Sequence, residues 1–141
     1  MMKVSFTVEG NPIGWQRTGY NKHTGAKYTQ EKTRQHKQLI AWAYRKQAGT
    51  FRFPKGTYVD MRVIAYLPIP KSKSKKERQL MIEGKIRPTV KPDCDNILKL
   101  VADALNGIAY DDDKQIVTMS VMKRYGDTPH TEIYINEYHN E

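Results

Sequence analysis

The chain holds one cysteine, Cys94, which excludes an intramolecular disulfide and any cysteine-rich zinc site. Long apolar runs are missing too. None approaches the ~18 residues of a membrane span. The opening Met1-Met2-Lys3-Val4-Ser5-Phe6-Thr7-Val8-Glu9 alternates instead of forming the apolar block of a secretory signal, so the expected compartment is the cytosol. Acids are scarce: 15 Asp and Glu stand against 24 Lys and Arg, a net charge of +9. The four histidines, His23, His36, His130 and His139, show no ligand spacing and are expected to be mostly exposed, with no role. A length of 141 residues with 38% apolar content fits a single domain, 1–141, with a modest core, and argues against general disorder.

The charge is unevenly placed. Residues 15–55 carry a net +9 and residues 71–91 a net +6, whereas residues 92–113 carry six Asp and one Lys, a net −5. A positive surface favours a polyanion, because neutralised phosphates release condensed counterions. Carboxylates facing that polyanion repel it unless a divalent cation lies between them and a phosphate. The competing reading is that the charge only keeps the chain soluble.

Hydrophobic periodicity divides the chain into alternating elements. Lys3–Val8 reads as a strand ended by Gly10-Asn11-Pro12, and residues 11–28 read as a basic loop. A helix is expected from Thr29 to Ala48, with Leu39, Ile40 and Ala43 as its apolar stripe and Gly49 as its stop. Tyr58–Leu67 is the clearest strand. Ser74-Lys75-Lys76-Glu77 has the spacing of a capping box, opening a short helix that Gly84 closes. Residues 85–92 form an extended basic approach to a helix spanning Asp95–Asn106. Strands at Gln115–Arg124 and Thr131–Asn136 complete the chain. This order predicts an α+β protein, a mixed β-sheet packed by helices.

The third helix carries the chemistry. Ile97, Leu98, Val101, Ala104 and Leu105 fall on one side, and Asp95, Asn96, Lys99, Asp103 and Asn106 on the other. Asp95 and Lys99 are neighbours at i, i+4, and Asp93 sits just before the helix, at its electropositive end. Three consecutive acids, Asp111, Asp112 and Asp113, then precede a strand. If that strand runs beside the start of the helix, one of them meets Asp93 and Asp95 in an oxygen-rich cluster suited to Mg²⁺ or Mn²⁺. Such an ion polarises a phosphoryl oxygen and helps generate hydroxide; Lys99 balances charge growing on the phosphate. The alternatives are that Asp93 or Asp95 is only a helix cap and that the later acids are a solvated turn. Cys94, between two acids, is expected to be small and buried.

Pro92-Asp93-Cys94-Asp95-Asn96-Ile97-Leu98-Lys99, then Asp103-Ala104-Leu105-Asn106-Gly107, then Tyr110-Asp111-Asp112-Asp113-Lys114-Gln115-Ile116-Val117 closely resemble the RusA family of Holliday junction resolvases. Gly10-Asn11-Pro12 through Gln16-Arg17 is similar to the opening of many members. The resemblance implies a RusA-like fold in a homodimer, and an Mg²⁺- or Mn²⁺-dependent endonuclease of bacterial, phage or prophage origin. It needs no membrane and no small-molecule cofactor. It implies Asp93 and Asp95 as the first two catalytic acids and metal ligands, with Lys99 as the essential lysine. Asp113 matches the third acid if Gln115 keeps its spacing, and Asp112 competes with it as a ligand.

A four-way junction presents two equivalent phosphodiesters, which a two-fold dimer matches. Arg17, Lys22, Lys27, Lys71, Lys73, Lys75, Lys76, Arg87 and Lys91 are the expected DNA contacts, mainly to phosphates. Trp15, Tyr20 and Tyr28 are candidates for base stacking; the alternative is that these rings serve packing. The competing functions are a non-catalytic basic DNA-binding accessory protein, and a metal nuclease acting on other branched nucleic acids or on RNA.

Overall fold

The computed structural model describes residues 1–16, 19–28 and 30–140. Arg17 among the expected DNA contacts, and Thr29 as a helix start, lie outside them. The elements are β1 (Lys3–Glu9), β2 (Gly19–Tyr20), β3 (Lys27–Tyr28), α1 (Glu31–Ala48), β4 (Val59–Pro68), α2 (Lys75–Ile82), α3 (Cys94–Leu105), β5 (Ile116–Gly126) and β6 (His130–Glu137). A four-stranded sheet runs in the order β1-β6-β4-β5, and β2 and β3 form a separate two-stranded ribbon. β6 is antiparallel to both β1 and β4, whereas β5 is parallel to β4. The sheet is therefore mixed, as expected. The parallel pair follows from the connection, since α2 and α3 intervene between β4 and β5 and return the chain to the same end of the sheet.

Alternation decides which face is buried. Val59, Met61, Val63, Ala65 and Leu67 of β4 meet Ile133 and Ile135 of β6 and Phe6 and Val8 of β1 in one core. Ile40, Ala43 and Tyr44 of α1 join it, with Ile97, Leu100, Val101, Ala104 and Leu105 of α3. The apolar stripe of α1 needs one correction. Ile40 and Ala43 are buried, but Leu39 is 38% exposed, because the buried side rotates toward Thr33, His36, Ala41 and Tyr44. His36 is likewise buried, contrary to the expectation for the histidines, and that burial, with Lys32 nearby, lowers its pKa. The loop expected over residues 11–28 contains the β2–β3 ribbon, whose two-residue strands are too short to show periodicity.

Local signals set the helix ends. Ser74 Oγ accepts from the Glu77 backbone N–H at 3.2 Å, the N-cap half of the expected capping box, and starts α2 at Lys75; the Glu77 carboxylate accepts from the Ser74 hydroxyl at 3.3 Å in place of its backbone N–H. At the end of α3, Gly107 has φ +76°, a left-handed turn that glycine adopts without a Cβ penalty.

The outer face of the sheet is polar. His130 stacks on Tyr66 with centroids 4.4 Å apart and places Nε2 3.0 Å from Glu132 Oε2. Burial alone lowers the His130 pKa, but the hydrogen bonds to Glu132 and to the Thr128 carbonyl outweigh it, and the value rises above 6.5. Glu132 is correspondingly lowered from 4.5: burial opposes this, and the bonds from His130 and Tyr134 prevail. The His130 contribution is complete below its unfolded pKa and is lost as pH rises through the folded value. That of Glu132 is present above its unfolded pKa and is lost in acid. The melting-temperature gap between wild type and His130→Asn is thus expected to be widest near pH ~5.5 and to narrow by pH ~8. A gap that does not change with pH would show that only the Tyr66 stacking matters.

Candidate nuclease site

The N-terminus of α3 is built by three segments. Asp93 occupies the N-cap position with extended backbone (φ −73°, ψ 150°), but its side chain makes no capping hydrogen bond. Its backbone carbonyl accepts from Ile97 N–H at 3.1 Å, and among the described residues its carboxylate has no side-chain capping bond. Asp95 lies in the first turn, on the exposed side. Gly14 packs against this end: a Cβ there would stand 2.9 Å from Asn96 Cβ and 3.0 Å from Pro92 Cβ. Only glycine allows that approach, which the Trp15 N–H completes by donating to Asn96 O at 2.9 Å. The loop thereby sets the Trp15 indole beneath Lys99, whose Nζ is 3.6 Å from the ring centroid. Between loop and helix lies a cleft of about 700 Å³ lined by Trp15, Gln16, Lys32, Lys91, Asp93 and Asn96. Lys32 and Lys91 put positive charge on the walls around one carboxylate.

The expected meeting of Asp111, Asp112 or Asp113 with Asp93 and Asp95 does not occur in this chain: the acidic loop follows the C-terminus of α3, so the other acids gather at the opposite end of the helix. Asp103 lies 3.9 Å from Lys37 Nζ on α1, and Asn106 Oδ1 accepts from Asp113 N–H at 3.0 Å. The three consecutive acids have different partners. Asp111 pairs with Arg52 at 3.1 Å. Asp112 caps the single 3-10 turn Asp113–Gln115 by accepting from Lys114 N–H at 2.9 Å, and that bond holds its pKa low. Asp113 has no such donor, and its pKa is raised, first by burial and then by the Asp112 and Asp103 carboxylates. Buried Tyr110 feels the same negative charge: burial, then Asp113 and Asp103, push its phenol far above its usual range. Its hydroxyl donates to Ala102 O at 2.7 Å.

Gln115 orders this loop. Its Oε1 accepts from the Asp111 and Asp112 N–H groups at 2.9 and 3.2 Å, while its Nε2 donates to Pro54 O and Thr57 O. The sequence reading gave Gln115 and Asn106 no task; their place in the motif is explained by their hold on the acidic loop. Asp103 was also passed over, although it continues the i, i+4 series of Asp95 and Lys99.

Asp93 and Asp103 are ten residues apart, about 15 Å along the axis at the helical rise, and Lys99 lies between them. Among the described residues, no three acids, cysteines or histidines gather closely enough to hold a metal ion. The donor chemistry still suits Mg²⁺ at the N-terminal end, because Mg²⁺ is commonly held by one or two carboxylates with water and substrate phosphate completing the shell. Cys94, first residue of α3, is exposed, contrary to expectation: helical rotation points positions 97, 100, 101 and 104 to the core and turns 94 outward.

Lys22, Lys27, Lys71, Lys75, Lys76, Arg87 and Lys91 are all exposed, and Lys73 is half-buried. Lys73 is 3.7 Å from Glu77, and Arg87 Nε donates to Gly84 O. Tyr20 is 62% exposed, with Lys27 over its ring at 5.9 Å. No helix among the described residues is long and apolar enough to cross a membrane.

The chain is 35% identical over 138 residues to an uncharacterised protein, YqaN, of Bacillus subtilis strain 168, spanning 95% of this chain and 96% of that one. The family model described as endodeoxyribonuclease RusA matches residues 9–136, which include every acid discussed above. The chain belongs to the RusA family of endodeoxyribonucleases.

Proposed function

We propose that this protein is a divalent-metal-dependent, structure-selective endodeoxyribonuclease that resolves four-way DNA junctions by paired phosphodiester hydrolysis, acting as a homodimer in recombination and repair within a bacterial cytoplasm. The observation that carries the reading is Asp93, a carboxylate at a helix N-cap that caps nothing and instead lines a cleft walled by Lys32 and Lys91. Such a group repels DNA unless a cation joins the two. Asp93 and Asp95 would hold Mg²⁺ or Mn²⁺ there. When bound, the ion supplies Lewis-acid polarisation of a phosphoryl oxygen and makes water easier to ionise.

The chain's own groups do the rest. Lys32 and Lys91 draw the phosphodiester into the cleft. Lys99 offers a permanent positive charge to the phosphate as its negative charge grows. Lys22, Lys27, Lys71, Lys73, Lys75, Lys76 and Arg87 hold the arms of the junction through their phosphates. Asp113, with Asp103 beside it, is proposed as a further catalytic acid; at the far end of the same helix it lies too far from Asp93 and Asp95 to share their metal ion within one chain.

The test incubates a labelled four-way junction with the protein, with Mg²⁺ and then with excess chelator. Symmetric nicks that need the metal support the reading. Salt-sensitive binding without cutting of junction, flap, duplex or RNA would instead favour an accessory DNA-binding protein. The same assay separates the neighbouring acids. Asp112→Asn is expected to keep most of its activity, because an asparagine oxygen can still cap the turn. Asp113→Asn is expected to lose it.

A further inference from the structure

The two edges of the main sheet differ. β1 is blunted: Gln47 of α1 reaches down to it, its Oε1 accepting from Thr7 N–H at 2.9 Å and its Nε2 donating to Thr7 O at 2.7 Å. β5, on the other edge, has no such cover. It pairs with β4 alone, and among the described residues no backbone group of Thr118–Met122 bonds beyond β4. Proteins usually protect a long edge with charge, proline or a covering element. The register shift at the start of β5 lies before Thr118, and Lys123 lies after Met122. The stretch Thr118-Met119-Ser120-Val121-Met122 between them is regular and uncharged.

Exposed apolar side chains gather along the same edge. Val117, Met119 and Met122 are 50%, 40% and 43% exposed. Lys123 Nζ donates to Val90 O at 2.6 Å and Arg124 Nη2 to Ile82 O at 3.2 Å. These bonds hold two more exposed residues, Val90 and Ile82, beside the strand.

We infer that β5 is the dimer interface, pairing antiparallel with β5 of a second copy about a two-fold axis at Ser120. The inference deepens the homodimeric reading proposed above and rests on it. An isologous contact must be self-complementary, and this stretch is. Thr118 faces Met122, Met119 faces Val121, and Ser120 faces itself, with no like charges opposed. Strand addition satisfies the open ladder. A five-residue pair alone falls short of the ~1,200–2,000 Å² of a stable interface, and Val117, Ile82 and Val90 widen the contact.

Position 120 provides the test, because at the axis a residue meets its own copy. Light scattering after gel filtration is expected to give wild type twice the 16.4 kDa chain mass. Ser120→Glu and Ser120→Lys, each opposing like charges, are expected to give single-chain mass at the same concentration. An equimolar mixture of the two is expected to return to double mass. Ser120 is exposed, and circular dichroism of each variant confirms the fold. Two results would overturn the inference: each variant alone remaining dimeric, or the mixture remaining monomeric. The readout is mass, independent of cleavage. A wild type that resolves junctions alongside a dimeric Ser120→Glu removes this interface and leaves the proposed activity standing.

Discussion

Asp93→Asn is expected to abolish junction cutting while leaving junction affinity unchanged or slightly improved. Asparagine keeps the size and one oxygen of aspartate but loses its charge, and Mg²⁺ binds through hard anionic oxygen. Disturbing groups that merely support metal ligands costs roughly 10–100-fold, so losing a ligand is expected to cost at least about 100-fold in rate. The backbone has no reason to shift, because the Asp93 side chain makes no cap bond to lose. Affinity should hold because the basic surface is intact and one phosphate-repelling charge is gone. Single-turnover cleavage and gel-shift titration of the same preparation check both halves. A variant that cuts at the wild-type rate would remove Asp93 from the site, and with it the proposed chemistry of the cleft.

Leu100→Ala is expected to give the largest loss of stability. Leu100 is fully buried on the core side of α3, and truncating a buried leucine costs about 2–5 kcal/mol, out of a total of about 5–15 kcal/mol for a typical domain. The melting temperature should fall by roughly 10 °C, read by calorimetry or circular dichroism. Because α3 carries Asp93, Asp95, Lys99 and Asp103 on its opposite side, activity should vanish at the lowered melting point and survive well below it. An unchanged melting temperature would mean that α3 does not pack on the sheet as described.

The sequence was most legible where chemistry and periodicity coincide. The division of α3 into an apolar side and a charged side could be read from spacing, and so could the alternation of β4 and the Ser74 cap. Each depends on residues close in sequence. The β2–β3 ribbon was not legible, because two-residue strands carry no period. Cys94 was misjudged, since its surface position depends on where the helix begins, and boundaries are weak signals. The different partners of Asp111, Asp112 and Asp113 depend on Arg52, Lys114 and Gln115, and no local rule assigns three like residues in a row to three partners. The meeting of Gly14 with Pro92 and Asn96 spans some eighty positions, and only the folded chain brings them together.

The lysine resting on Trp15 has a consequence for timing. An ammonium over an indole face is attracted by a diffuse cloud of electrons, with no fixed direction and a strength of about 0.5–1 kcal/mol at an exposed site. A carboxylate partner would grip the same lysine by directed bonds and have to be displaced. If Lys99 serves the phosphate as proposed, this undirected tether would let it leave the ring for an arriving strand and return once the cut strand has gone.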